Sequence, residues 1–331
     1  MPEGILVAIV VLIAVSFDFT NGFHDTANAI ATSVSTHALS PRAAVILSAV
    51  MNFVGAFVTL KVAATIGSGV ASPTKVTLVM VTAALLGAIT WNLFTWYRGL
   101  PSSSTHALIG GLIGAALVGL GFSGVQWHIV LTKMIIPLVV SPLLGFAFAY
   151  LGMLVILWIF RHSRPRQVNR GFRLAQILSA AFVSFSHGTN DSQKTMGIIT
   201  LALVSGHFLS HFQVPLWVIV ASASAMAFGT YAGGWRIIKT VGTRLYKIEP
   251  AAGFDAQTVS AIIIQGASHF GFPVSTTHMV TGSILGAGAS QSASAVRWGV
   301  GINILAAWIV TIPAAALVAG VLYFFLHFIA R

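Results

Sequence analysis

"GLPSSSTHALIGGLIGA" occupies residues 99–115, and "GFPVSTTHMVTGSILGA" occupies residues 271–287. The two stretches share Gly, Pro, Ser, Thr and His at matching places. Both then carry two helix glycines (Gly110 and Gly114; Gly282 and Gly286) and a closing Gly-Ala. A second matched pair lies upstream, "VSFDFTNGFHDTANAI" at 15–30 and "VSFSHGTNDSQKTMGI" at 183–198. Registered on the acid, Asp25 lies over Asp191, His24 over Asn190 and Asn28 over Lys194. The order and separation of the motifs agree between the two copies, so the chain reads as an internal duplication. Its expected organisation is a first repeat over 1–160, a basic linker over 161–173 and a second repeat over 174–331.

Both copies are embedded in oil. Of the 331 residues, 56% are hydrophobic and 7% are charged, with a mean hydropathy of +0.91. A soluble domain carries about 25% charged residues, so most of this surface does not face water. Apolar stretches near the ~20 residues that a bilayer asks of a helix recur from end to end. The alternating ten-residue strands of a membrane barrel are absent from the pattern. The expected fold class is therefore an all-α polytopic membrane protein with about ten to twelve transmembrane segments. The expected segments lie near 4–36, 41–68, 76–97, 105–122 and 126–160, then near 172–206, 212–234, 255–270, 277–290 and 295–330. "GILVAIVVLIAVSF" lacks a basic leader and a small-residue cleavage site, and reads as a membrane helix rather than a signal peptide.

The net charge of +11 reads as loop charge that orients the chain in its membrane, not as a nucleic-acid surface. With no cysteine, disulfides and thiolate metal sites are excluded. The linker "RHSRPRQVNRGFR" has five arginines and no acid, which puts it on the cytoplasmic side. "RIIKTVGTRLYK" at 236–247 is basic too, whereas the matching part of the first half carries only Lys61 and Lys75. An odd number of crossings per half satisfies both observations. It makes the repeats inverted in topology, with both termini outside the cytoplasmic membrane. Inverted repeats with broken or half helices near the midplane are the architecture of secondary transporters.

The chain has six acids, Glu3, Asp18, Asp25, Asp191, Glu249 and Asp255. A carboxylate inside a membrane costs roughly 2.5–3.5 kcal/mol on insertion scales, so it pairs or binds something. Asp25 and Asp191 sit in polar clusters that the duplication preserves, which favours cation or proton binding over a structural hydrogen bond. Asp18 has Ser184 opposite it and Asp255 lies near an expected helix start. Both are read evenly as caps or interfacial residues on one hand and buried groups on the other. In the hydroxyl motifs, Gly-x-Pro breaks the chain and Pro suits the first turn of a new helix. Ser103, Ser104 and Thr105, and Ser275, Thr276 and Thr277, then offer caps and donors where backbone amides are free. Two such N-termini meeting near the midplane would cage an oxyanion. The plainer alternative is two ordinary caps at re-entrant loops. His106 and His278 read first as hydrogen-bonding braces between helices.

"NGFHDTANA", "SHGTNDSQK", "GLPSSSTHALIG" and "GFPVSTTHMVTG" resemble the paired signatures of the inorganic phosphate transporter (PiT) family, in its bacterial low-affinity Pit type. The resemblance covers both halves. It implies a phosphate symporter without enzymatic activity or organic cofactor, with Asp25, Asn28 and Asp191 at a cation site. It likewise places Ser103, Ser104, Thr105, Ser275, Thr276 and Thr277 around phosphate. Sodium-coupled members carry Asn-Asp-x-x-Asn in both halves; here His24 precedes the first acid, and Lys194 replaces the last Asn after Asn190-Asp191. An ammonium at that place repels sodium and helps to neutralise phosphate, and His24 can titrate near physiological pH. The expected coupling ion is therefore the proton, with Na+ the alternative, and Asp25, His24 and Asp191 the carriers. No metal site is assigned. Expected cargo is inorganic phosphate, with arsenate or a neutral metal–phosphate complex as further candidates. Membrane lipid is the other partner, nucleic acid is not, and a homodimer is left open. The linker is short for the family, and no separate regulatory domain is expected.

Three rival readings were weighed. A Ser–His hydrolase needs one nucleophile, one base and one oxyanion hole, and two mirrored copies argue against it. An anion channel would not need coupled carboxylates. A sulfate carrier would leave a carboxylate acceptor facing an oxyanion that has no proton to give.

Overall fold

In a bilayer every backbone amide must be satisfied within its own segment, and an apolar chain without closed strands therefore folds as helices. The computed structural model describes residues 3–330, and twelve helices with two single 3-10 turns (Phe122–Gly124 and Ala293–Ala295) account for the regular structure among them, with no strand. The first half contributes α1 (Glu3–Ser35), α2 (Pro41–Gly55), α3 (Lys61–Gly69), α4 (Leu78–Arg98), α5 (Ser104–Leu120) and α6 (Trp127–Ile159). The second contributes α7 (Pro165–Ser205), α8 (Leu216–Ala232), α9 (Trp235–Arg244), α10 (Pro250–His269), α11 (Thr276–Gln291) and α12 (Trp298–Ala330). The ends follow local chemistry. Ser40 caps α2, accepting from the amide of Ala43 at 3.3 Å with Pro41 as first helical residue, and Thr77 caps α4 through Met80 at 3.3 Å.

Helices α1, α4, α6 and α12 are each long and apolar enough to cross a membrane, and α8 with α9, bent by 60°, forms a fifth candidate. The remaining helices are short or, like α7, carry the polar motifs. The segment expected at 41–68 is two helices, because the chain breaks after Gly55 and restarts at Lys61. The linker differs as well: from Pro165 onward it is the first turns of α7, a helix of 41 residues. Pro at the first helical position lacks only an amide that has no partner anyway, and nothing breaks the helix before Gly206.

The packing is reciprocal. α5 lies on α12 while α11 lies on α6, and α1 packs on α8 while α7 packs on α2. Each short motif helix is thus seated against the other half. The seats are tight, for a Cβ at Gly110 or Gly114 would strike the backbone of α12 at Ile312 or Ala316. At Gly282 or Gly286 it would strike α6 at Pro142 or Phe146.

Two apolar clusters hold the molecule together, with a polar belt between them. Along α1 the first cluster takes Val7, Val10, Ala14 and Phe17, and the second takes Ala27, Ile30 and Ala31. Along α7 the order is reversed, with Phe172 and Val183 in the second cluster and Met196, Ile198 and Ile199 in the first. The two helices therefore run in opposite directions through the same layers. Their central turns, Asp18–Thr26 and Ser184–Thr195, form the belt.

Candidate functional site

The belt is built where the chain breaks. Gly99 ends α4 with φ 65°, and Gly271 follows α10 with φ 76°, a region open to glycine at no steric cost. In each break the glycine amide and the one after it turn back to the preceding helix. Leu100 bonds the carbonyl of Thr95 at 2.9 Å, and Phe272 bonds that of Ala267 at 2.9 Å. Pro101 and Pro273 stand before the caps, not in the first helical turn as the sequence suggested. Ser103 and Ser275 are the caps, accepting from the amides of His106 and His278 at 3.2 Å each. The amides of Ser104, Thr105, Thr276 and Thr277 are left without an intramolecular acceptor, as first-turn amides are.

The two breaks meet. Thr105 Oγ1 donates to the carbonyl of Val274 at 3.3 Å, joining one hydroxyl motif to the other. His106 and His278 stack on each other with ring centroids 4.3 Å apart, and His278 stacks on Trp308 at 3.8 Å. They brace the junction by stacking rather than by the hydrogen bonds expected of them, since His106 Nδ1 and His278 Nε2 have no partner. Trp308 closes the brace by donating from Nε1 to the carbonyl of Pro101 at 3.0 Å.

The acids of α1 and α7 reach this junction. Asp25 lies 2.7 Å from His24 Nδ1, takes a hydrogen bond from Thr277 at 3.1 Å, and takes another from Ser104. Asn28 donates to Thr277 Oγ1 at 2.9 Å. On the other side Lys194 Nζ donates to Asp191 at 2.6 Å, to Thr105 Oγ1, and to the carbonyl of Val274 at 3.3 Å. All three of its donors are thereby used. Asn28 and Lys194 occupy matching places, and each grips the threonine of the opposite half's motif. Asn190 acts otherwise: it donates to Ser268 at 2.8 Å and to the carbonyl of Phe272 at 3.2 Å, which holds the second break in shape. Thr276 Oγ1 is buried and has no partner.

Several members of the site had no clear sequence signal. Asn21 lies 3.5 Å from Asp191 through its amide and 2.6 Å from the hydroxyl of Ser104 through its oxygen, tying the two halves. Ser102 donates to Thr95 at 2.7 Å beside His24. Asn52 bonds Thr26 at 3.0 Å, Thr230 at 2.9 Å and His187 Nδ1 at 3.0 Å. A lone Asn in the apolar run of α2 was the available hint. Ligand atoms of Asp25, His187 and Asp191 all lie within 4.8 Å of one another. Two acids read evenly from sequence are resolved. Asp18 is fully buried in the belt, and Asp255 is buried against Gly152 of α6, so neither caps a helix nor lies at an interface.

Comparison with known proteins finds relatives over nearly the whole chain. Residues 21–319 match the model of the phosphate transporter family. A protein of Mycobacterium bovis named "probable low-affinity inorganic phosphate transporter" is 51% identical over 326 residues, 98% of this chain and 78% of its own. A Bacillus subtilis protein of the same name is 47% identical over 328 residues, covering 98% of both chains. A solved structure titled "The sodium-dependent phosphate transporter" superposes with a TM-score of 0.91 over 98% of this chain and 99% of that one. At 24% identity the likeness speaks for the fold.

Proposed function

This chain belongs to the phosphate transporter family, and from that premise we propose that it is a secondary active symporter of inorganic phosphate driven by protons. Phosphate is held between the two hydroxyl motifs by Ser103, Ser104, Thr105, Ser275, Thr276 and Thr277, with their first-turn amides. Each helix N-terminus supplies roughly half a positive charge. Lys194, bonded to Thr105 and Val274, adds a full one at the same junction. Asp25, His24 and Asp191 carry the coupling protons, and Asn28 and Asn190 hold their surroundings in register.

The observation that carries the coupling argument is the place of Lys194. A sodium site in this belt needs neutral and anionic oxygens around the ion. In the first half Asn28 leaves such a place beside Asp25, whereas in the second Lys194 fills it and pairs with Asp191 at 2.6 Å. A fixed ammonium is a permanent substitute for one transported cation. The solved neighbour is named sodium-dependent; Lys194, standing where the first half has Asn28, is the reason to read this chain otherwise.

The opposite running of α1 and α7 supports inverted repeats, and the arginine-rich stretch before α7 supports a cytoplasmic linker with both termini outside the cytoplasmic membrane. Arsenate, almost isosteric with phosphate, would enter by the same route. A neutral metal–phosphate complex is a further candidate cargo, for which the acids beside the cradle are weak support, since Asp191 is already paired with Lys194. Homodimer formation fits this reading without being required by it.

The test is labelled phosphate uptake by proteoliposomes with pH and sodium gradients imposed independently. An acid-outside gradient should drive accumulation without sodium. Uptake driven by sodium at symmetrical pH, with no response to a proton gradient, would overturn the coupling.

A further inference from the structure

Asp18 stands outside every role assigned so far. It precedes Asn21 and Asp25 by three and seven residues, so the three side chains share one face of α1. The carboxylate is completely buried, and neither oxygen has a hydrogen-bond partner among the described residues. The polar side chains beside it are Asn21 on its own helix and Thr195 on α7. Asn21 is engaged with Asp191 and Ser104, while the Thr195 hydroxyl is itself unpartnered. Of the charged groups on helices packed against α1, Asp191 and Lys194 of α7 are those close enough to act on it. These two are already paired with each other.

The duplication shows what is unusual. Across the two halves the belt differs in charge at two places. Asp18 has Ser184 as its counterpart, and Lys194 has Asn28. One departure adds a negative charge and the other a positive one, and Asp18 lies beside Thr195, the residue after Lys194. Ser184 has a settled structural partner, accepting from the hydroxyl of Ser48 at 2.8 Å. Asp18 has no bond of ordinary geometry among the described residues and no cation of its own, only the Thr195 hydroxyl and the Asn21 amide beside it. A buried carboxylate so weakly partnered in a membrane interior is stabilised by a proton or a cation. The neighbouring ammonium disfavours a metal cation, which leaves the proton.

We propose that Asp18 is a further coupling site, binding a proton that crosses with phosphate in addition to those handled at Asp25, His24 and Asp191. The proton enters from the side where phosphate loads, sits on a carboxylate oxygen against the Thr195 hydroxyl, and leaves on the side where phosphate is released. Lys194 makes one transported cation dispensable, and Asp18 restores one. The proposal rests on the proton-coupled reading above.

The experiment uses the full chain in proteoliposomes and compares wild type with Asp18→Asn, Asp18→Ser and Asp18→Glu. Two quantities are measured: phosphate accumulation under a gradient of one pH unit, and exchange of internal for external phosphate at equal pH and concentration. One pH unit is worth about tenfold in concentration for each coupled proton, so Asp18→Asn should accumulate about tenfold less. Exchange should persist in Asp18→Asn and Asp18→Ser, and Asp18→Glu should keep its accumulation. Wild-type accumulation in Asp18→Asn overturns the proposal. So does loss of both exchange and phosphate-dependent thermal stabilisation in Asp18→Asn and Asp18→Ser, which would make the residue structural. If wild type itself ignores the pH gradient, the proton-coupled reading has failed and this proposal falls with it. A failure confined to the variants concerns Asp18 alone.

Discussion

The hydroxyl of Thr277 donates to the carboxylate of Asp25 at 3.1 Å, although 252 positions separate them in the chain. Thr105 takes the matching part on the other side, where Lys194 grips it. Each acid helix is thus closed by the hydroxyl motif of the opposite half. Under the proposed symport reading, neither half can move without disturbing both the anion cradle and the coupling acids, and that linkage is what symport requires.

Thr277→Val keeps shape but removes the donor to Asp25. A hydrogen bond to a charged group is worth roughly 1.5–3 kcal/mol, so phosphate uptake measured as kcat/KM should fall about 10- to 150-fold. Thr105→Val should fall comparably through Lys194. Near-normal uptake in both variants would remove the hydroxyls from the cradle.

Lys194→Asn recreates in the second half the pattern of Asn28 in the first. It also leaves Asp191 without its cation, and breaking a buried pair costs about 3–5 kcal/mol. Added sodium should restore part of that loss in the variant and little in wild type, read as a sodium-dependent rise in unfolding temperature. A variant insensitive to sodium would contradict the view that Lys194 stands in for a transported cation.

Much of this was legible in the sequence because a duplication prints its functional residues twice. Asp25 and Asp191, and the Ser–Thr motifs, were found by register alone. Residues without a counterpart were harder to read. Asp18 has a serine opposite it, Ser102 has Val274 opposite it within the repeated phrase, and Asn52 has no repeated phrase around it, so nothing separated them from incidental polar residues. Helix boundaries failed for another reason: the break after Gly55 and the helical run through the linker depend on how α2, α3 and α7 pack. His106 and His278 read from the sequence as braces, but by hydrogen bonds, because stacking between two half helices leaves no pattern in either one.

Asn52→Ala tests the part of the belt that sequence did not announce. It would take the partner of His187 Nδ1 and one partner each of Thr26 and Thr230, which keep their bond to each other at 2.9 Å. Each buried polar group left unpaired costs about 1–3 kcal/mol, so the unfolding temperature in detergent should drop clearly. Phosphate uptake by the fraction that folds should fall less than in Thr277→Val. A stable variant would mean that those groups find partners elsewhere.

Ser103→Ala separates the two jobs of the hydroxyl motif. As an N-cap, Ser103 accepts from the amide of His106 at 3.2 Å, and losing a cap costs about 1 kcal/mol. The same hydroxyl belongs to the proposed phosphate cradle, so Ser103→Ala should also bind phosphate more weakly. Because a ligand that binds only the folded state adds stability in proportion to ln(1 + [L]/Kd), the rise in unfolding temperature on adding phosphate should be smaller in Ser103→Ala than in wild type, while the drop in the empty protein reads the cap. The same holds for Ser275→Ala, whose cap on His278 has the same length. An unchanged rise in both would mean that phosphate does not dock on these two hydroxyls.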